Sequence, residues 1–107
     1  MSADGKLQFI YTLEAVEPEK AGNPDGWTEY DHETYRLHLA HLEKEADSRR
    51  IVLVGRAQDG IGPAIAIIEC GDEREARRLM ESDPFVSRGF ARARLHPFRV
   101  AFSRNEV

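Results

Sequence analysis

Hydrophobic and polar positions alternate along the first structured stretch of the chain. Between residues 7 and 13 (LQFIYTL), apolar side chains fall at every second position, which is the period of a strand with one buried face. The next stretch, Glu14 to Asp31, is rich in Pro, Gly, Asn and acidic residues, and its NPDG sequence (23–26) is typical of a turn. We therefore expect a strand and then a long loop, in which Trp27 either anchors the loop or belongs to a lid over a pocket.

A helical pattern follows the loop. It predicts a helix that begins near Asp31 or Glu33 and ends at about Asp47. Residues at spacings of three and four form one stripe on this helix, and they are Tyr35, His38, Leu39, Leu42 and Ala46. His38 is the polar member of this otherwise apolar stripe. We therefore expect its imidazole to face the core.

The second half of the chain contains two short, continuously apolar stretches. They run from Ile51 to Val54 and from Ala64 to Ile68, and an Asp59-Gly60 hairpin signal lies between them. A second helix is predicted to begin after Asp72, an N-capping residue, and to end before Pro84. These features predict two buried strands joined by a hairpin, followed by a helix.

The last predicted strand, Ala91 to Phe102, changes the parity of its apolar positions. Apolar side chains occupy odd positions before His96-Pro97 and even positions after it. A strand cannot change the face it buries without an extra residue or a bend. We therefore expect a bulge or kink near Pro97.

The order strand, helix, strand, strand, helix, strand is typical of the ferredoxin-like fold. We predict a single α+β domain over residues 1–107, with a four-stranded antiparallel sheet and two helices on one face. The apolar stretches offer side chains to both faces of that sheet, so the face without helices needs a cover. Because an apolar patch above ~300–600 Å² is unusual on a monomer, we predict a homodimer packed sheet to sheet.

Composition excludes several classes of partner. The chain has 107 residues, of which 41% are hydrophobic and 32% charged, and its net charge is −4, which argues against nucleic-acid binding. No stretch approaches the ~20 consecutive apolar residues of a membrane span, and the first residues lack the pattern of a signal peptide. We expect a cytoplasmic protein with no membrane partner, and the single cysteine excludes an internal disulfide.

The side chains that carry reactive groups predict neither a metal site nor a cofactor site. The histidines lack the acidic and cysteine neighbours that zinc sites require, and Cys70 is interpreted as a buried thiol at a strand end. Arg92 and Arg94 share one face of the last strand. They would suit a carboxylate or phenolate ligand if they line a pocket, and the alternative is that both are solvated.

Four short sequences, in this order, resemble those of the YCII-related family: HLAHL (38–42), RIVLVG (50–55), DPFV (83–86) with Gly89, and HPF (96–98). The resemblance covers about residues 7–102. It implies a dimeric α+β barrel, a pocket between sheet and helices, and an active pair formed by His38 and Asp83. Arg56 departs from the family pattern, since many relatives have proline at this position.

This resemblance, with the inward histidine, predicts a small acid/base enzyme of the lyase, isomerase or hydrolase type. The family includes an enzyme that dehydrochlorinates a chlorinated hydroquinone, so a small organic acid or phenol is the expected substrate. His38 would move the proton and Asp83 would orient the imidazole, with Trp27, Arg92 and Arg94 binding the substrate. Three alternatives stay open. The first is a noncatalytic homodimer that binds a small ligand or assists another protein, and the second is a purely structural role for the pair. The third, a cofactorless monooxygenase or haem-handling protein, rests on analogy of fold alone and ranks lower.

Overall fold

The computed structural model of the chain describes residues 6–104 and contains one antiparallel sheet with the strand order β2-β3-β1-β4. This arrangement confirms the predicted α+β, ferredoxin-like fold. Between the first strand and the long helix, the chain also forms a 3-10 turn at Pro24–Gly26. The strands and helices are β1 (Leu7–Ala15), α1 (Pro18–Ala21), α2 (Glu29–Asp47), β2 (Ile51–Arg56), β3 (Ala64–Cys70), α3 (Glu73–Glu81), α4 (Pro84–Ser87) and β4 (Ala91–Phe98).

The core lies between the helices and one face of the sheet. Strand β1 buries Phe9, Tyr11 and Leu13 on this face, as its alternation predicts. Ala66 and Ile68 of β3 pair with Tyr11 and Phe9 and share the face. Full burial of a large apolar side chain such as Ile68 stabilises the fold by about 1.5–3 kcal/mol. The central strands are therefore anchored to the helical layer.

Helix α2 begins at Glu29, earlier than the sequence pattern predicts. Thr28 caps it: the Thr28 hydroxyl accepts from the Asp31 backbone N–H, and the Asp31 carboxylate accepts from the Thr28 backbone N–H. This reciprocal capping box uses Asp in place of the usual Glu or Gln. The expected long loop is also partly helical, since α1 and the 3-10 turn both begin with proline, which suits the first position of a helix.

The buried face of α2 differs from the predicted stripe. Tyr35, Leu39 and Ala46 are exposed, so the stripe prediction was wrong for these positions. The reason is that polar side chains are buried with partners; for example, Arg50 donates to Glu45 at 2.9 Å. The buried residues of α2 are Asp31, Thr34, His38 and Glu45.

The predicted bulge near Pro97 was also wrong. Strand β4 pairs continuously with β1 from Ala91 to Phe98 and then leaves the sheet, so the change of parity needs no extra residue. Pro97 is tolerated because β4 is an edge strand, where a missing N–H need not break a ladder. The register irregularity lies instead in β2, between Ile51 and Leu53.

The sheet face opposite the helices, here called the open face, combines apolar and basic side chains. Residues paired across the strands share a face, and this places Ile10, Leu53, Ile65, Ile67, Arg92, Arg94 and His96 on the open face. Its centre is apolar, and its β4 edge is basic. Among residues 6–104, no helix combines the length and the apolar character needed to cross a membrane.

Candidate active site

Asp83 occupies the point where three parts of the fold meet. It precedes Pro84 and caps α4, and its Oδ1 accepts from the Phe85 backbone N–H at 3.0 Å. Its side chain is fully buried. Oδ1 also lies 2.7 Å from Nδ1 of His38, and Oδ2 accepts from the Tyr11 hydroxyl at 2.9 Å. Three hydrogen bonds therefore converge on one buried carboxylate, which is the arrangement that a buried charge requires.

His38 contacts Asp83 from the middle of α2, across 45 residues of sequence. Because a carboxylate is an acceptor only, this geometry assigns the Nδ1 hydrogen to His38 and leaves Nε2 as the nitrogen available for exchange. Among the described residues, no partner is hydrogen-bonded to Nε2. The His38 side chain is 9% exposed. The imidazole thus has one nitrogen fixed by Asp83, and little of its surface reaches solvent.

Tyr11 is a third member of this group, and the sequence pattern indicated only that it faces the core. Burial, together with the negative charge of Asp83, raises the pKa of the Tyr11 phenol well above its usual range. Tyr11 therefore stays protonated and acts as a hydrogen-bond donor. It holds the carboxylate against the central strand, and it cannot serve as a base near neutral pH.

A series of stacked rings extends from His38. The Phe85 ring lies on the imidazole with centroids 3.8 Å apart and planes at 7°, and the Phe90 ring lies 4.8 Å from Phe85 at 23°. Trp27 meets Phe90 edge-on at 5.4 Å, and its indole N–H donates to the Lys20 carbonyl at 2.6 Å. Trp27, a predicted substrate-binding residue, is thus connected to His38 indirectly, through Phe90 and Phe85 and also through Tyr35 and Phe85.

A cavity of about 540 Å³ lies beside these rings, and we call it the hairpin cavity. Its floor is formed by Leu13, Ala64 and Ala91 on the helix-facing side of the sheet, and Phe85 and Phe90 border it. One wall comes from residues 18–24 and the other from the β2–β3 hairpin, residues 56–62. His38 and Asp83 do not line the cavity. Phe85 is the residue that it shares with them.

Arg92 and Arg94 lie away from this group. They pair with Glu14 and Thr12 of β1, on the open face, and both are exposed. Within a single chain, these arginines and the pair of His38 and Asp83 therefore lie on opposite sides of the sheet. Their part in substrate binding stays a prediction.

Other reactive side chains do not form a second centre. Cys70 is buried, and desolvation raises the pKa of its thiol to about 11, which disfavours the nucleophilic thiolate. Within residues 6–104, no group of three or more His, Cys, Asp or Glu side chains is placed to hold a metal ion.

The chain belongs to the YCII-related family, because the YCII-related domain model matches residues 9–99. The resemblance of the four short sequences to this family is thereby confirmed. No curated protein matches the chain in sequence.

Two solved structures are similar in fold. One is 5-chloro-2-hydroxyhydroquinone dehydrochlorinase (TftG) from Burkholderia phenoliruptrix AC1100 in complex with 2,5-dihydroxybenzoquinone, with a TM-score of 0.63 and 19% identity, covering 87% of this chain and 94% of that one. The other is a conserved protein from Methanosarcina mazei Go1, with a TM-score of 0.49 and 14% identity, covering 89% and 95%. The first similarity agrees with the observed fold.

Proposed function

We propose that this protein is a small acid/base enzyme of the lyase, isomerase or hydrolase type that acts on a small organic molecule. The observation that carries the proposal is the hydrogen bond of 2.7 Å between His38 and the fully buried Asp83. A histidine oriented by a carboxylate is a common general base, because the carboxylate fixes the tautomer and stabilises the imidazolium that forms.

In this mechanism, Nε2 of His38 takes a proton from the bound molecule and returns it to the product or to the leaving group. Asp83 keeps the hydrogen on Nδ1 and offsets the positive charge while the ring is protonated. Tyr11 and the Phe85 backbone N–H donate to two further acceptor positions of Asp83. The carboxylate is thereby held in the one orientation that serves His38.

Membership of the YCII-related family supports this proposal at a general level, since TftG, which shares the fold, is a dehydrochlorinase. Dehydrochlorination removes a proton and a chloride from one molecule, so it needs a base and a site for a chlorinated ring. Chlorinated hydroquinones and phenols are therefore the first substrates to test.

We also propose that the protein is a homodimer packed through its open face. The centre of this face consists of Ile10, Leu53, Ile65 and Ile67, from three neighbouring strands. A second copy would remove these side chains from water, at about 25 cal/mol for each Å² buried. The same contact would bring Arg92 and Arg94 close to the partner chain.

A noncatalytic, ligand-binding homodimer is the second candidate function. The observation in its favour is the Phe85 ring, which covers the imidazole of His38 at 3.8 Å and separates it from the hairpin cavity. In such a protein, His38 and Asp83 would only stabilise the fold. Turnover distinguishes the two candidates.

The decisive experiment measures chloride release from 5-chloro-2-hydroxyhydroquinone and a series of chlorinated phenols. The variant His38→Gln retains a donor for Asp83 but cannot transfer a proton at neutral pH. We expect its turnover number to fall by about 10²-fold or more, which is the usual contribution of a general base.

The matched control is His32→Gln, which changes an exposed histidine in the first part of α2 that has no contact with Asp83. Circular dichroism should show that both variants are folded. Retention of most of the activity in His38→Gln, or an equal loss in His32→Gln, would reject His38 as the base. If no compound is turned over by the unaltered protein but ligands bind, the noncatalytic candidate is preferred.

A further inference from the structure

The hairpin cavity has the size of a ligand site, and the proton transfer proposed for His38 makes no use of it. Its volume of about 540 Å³ falls within the range of small-molecule pockets, which is roughly 300–1,000 Å³. Phe85 and Phe90 border it, and Leu13 forms part of an apolar floor. Such a lining favours a flat, largely apolar guest.

The charge at the cavity comes from Arg56, the last residue of β2. Arg56 pairs with Ala64, which in turn pairs with Leu13, so all three share the helix-facing side of the sheet. Among the lining residues that the structure describes, Arg56 alone is basic. No carboxylate of residues 6–104 forms an ion pair with it.

Other charged groups near the cavity do not compete for the same ligand. Asp59 lies in the hairpin wall, where its Oδ1 accepts from the Ile61 and Gly62 backbone N–H groups at 2.8 and 2.9 Å. Glu14 borders the cavity, but its position opposite Arg92 places it on the open face. Lys20 lies 5.7 Å from the Phe90 ring, yet it is paired with Asp31 at 3.2 Å. The guanidinium of Arg56 is therefore the group that would meet an anion in the cavity.

We propose that the hairpin cavity binds a flat aromatic carboxylate or phenolate, with its ring against Phe85 and Phe90 and its anionic oxygens paired with Arg56. A guanidinium presents two parallel N–H donors that match a carboxylate. Arg56 is thus a specificity residue for charge, and the phenylalanines select for planarity. The further statement that this ligand is the substrate rests on the proposed function. It requires Phe85 to move aside, so that the ring of the ligand can meet His38.

Fluorescence of Trp27 provides a direct binding assay. Trp27 is the one tryptophan of the chain, and its ring lies 5.4 Å from Phe90, which borders the cavity. We would titrate the protein with benzoate and with benzamide, a neutral molecule of nearly the same shape, and repeat both titrations by calorimetry. Benzoate should bind more tightly than benzamide.

The variant Arg56→Gln should weaken benzoate binding about fivefold to tenfold and leave benzamide binding within about twofold, as expected for the loss of a charge-assisted hydrogen bond at an exposed site. Arg56→Lys keeps the charge but loses the forked donors, so its affinity for benzoate should lie between those of the unaltered protein and of Arg56→Gln. Arg74→Gln is the matched control, since it removes the same charge from the exposed surface of α3. It should bind benzoate as the unaltered protein does.

The assignment is overturned if benzoate does not bind at millimolar concentration, if benzamide binds equally well, or if Arg56→Gln and Arg74→Gln have the same effect. These outcomes are separate from those of the turnover assay. Binding that depends on Arg56 without any turnover dependent on His38 would reject the proposed function and support the cavity assignment. Turnover that depends on His38 but shows no preference for anionic rings would support the proposed function and reject the cavity assignment.

Discussion

Tyr11 donates its hydroxyl hydrogen to Oδ2 of Asp83 at 2.9 Å, across 72 residues of sequence. The bond joins the central strand β1 to the residue that caps α4. Since the same carboxylate also holds Nδ1 of His38, the orientation of the imidazole depends on a tyrosine of another element through Asp83. The sheet, the short helix α4 and the long helix α2 are therefore connected through one carboxylate.

This connection predicts that Tyr11→Phe lowers both stability and activity. The change leaves Oδ2 of a fully buried carboxylate without its hydrogen bond, which costs about 1–3 kcal/mol in the free energy of unfolding. For a domain whose total stability is about 5–15 kcal/mol, urea unfolding should show a clear decrease in the midpoint.

Tyr35→Phe is the matched control for this prediction. Tyr35 is 41% exposed and contacts Trp27 and Phe85 through its ring, which phenylalanine preserves. The midpoint of its urea transition should stay close to that of the unaltered protein. Equal midpoints for Tyr11→Phe and Tyr35→Phe would show that the bond to Asp83 contributes no net stability.

Much of the sheet could be predicted from the sequence, because alternation is a local property. Phe9, Tyr11 and Leu13 are buried as their period of two indicates. The buried face of α2 could not be predicted in the same way. Its buried carboxylates, Asp31 and Glu45, form ion pairs with Lys20 and Arg50, which lie outside the helix. A hydrophobic pattern contains no information about such partners.

The candidate site was only partly accessible to sequence reasoning for a similar reason. The period of the helix indicated that His38 faces inward, and the Asp-Pro sequence at Asp83 marked the end of a helix. The ring of Phe85 on the imidazole and the hydroxyl of Tyr11 on the carboxylate depend on contacts between distant elements. Both residues have the sequence character of ordinary core positions.

Asp31 provides a prediction on pH. Its hydrogen bond from the Thr28 backbone, together with Lys20, lowers the pKa of the Asp31 carboxyl in the folded protein. A lowered pKa stabilises the fold at pH values above the unfolded pKa of about 3.9, and this contribution is lost as the pH falls through the folded value. Asp31→Asn should therefore be less stable than the unaltered protein near pH 7.

Urea unfolding at about pH 7 and about pH 2.5 tests this pH dependence. The difference in stability between the unaltered protein and Asp31→Asn should become smaller at the lower pH. Asp25→Asn, which changes an exposed aspartate of the 3-10 turn, serves as the control. A difference for Asp31→Asn that is equally large at both pH values would mean that the contribution of Asp31 does not arise from its charge.

Cys70 should be unreactive in the folded protein. Burial raises the pKa of its thiol to about 11, so little thiolate is present at about pH 8, and the side chain is only 1% exposed. A thiol reagent such as dithionitrobenzoate should react with Cys70 at least about 100-fold faster in denaturing urea than in buffer. Rapid reaction in buffer would show that the end of β3 opens frequently.

The proposed homodimer predicts a change of oligomeric state when the open face becomes charged. Ile65→Glu places a carboxylate among the apolar side chains of this face, so a second copy could pack there only by burying an unpaired charge, which costs several kcal/mol. Sedimentation equilibrium at micromolar concentration should give a dimer for the unaltered protein and a monomer for Ile65→Glu, with the same circular dichroism spectrum. The matched control is Ile61→Glu at the tip of the hairpin, where isoleucine is already 89% exposed, and it should remain dimeric. A monomer for the unaltered protein, or a dimer for Ile65→Glu, would contradict an interface through the open face.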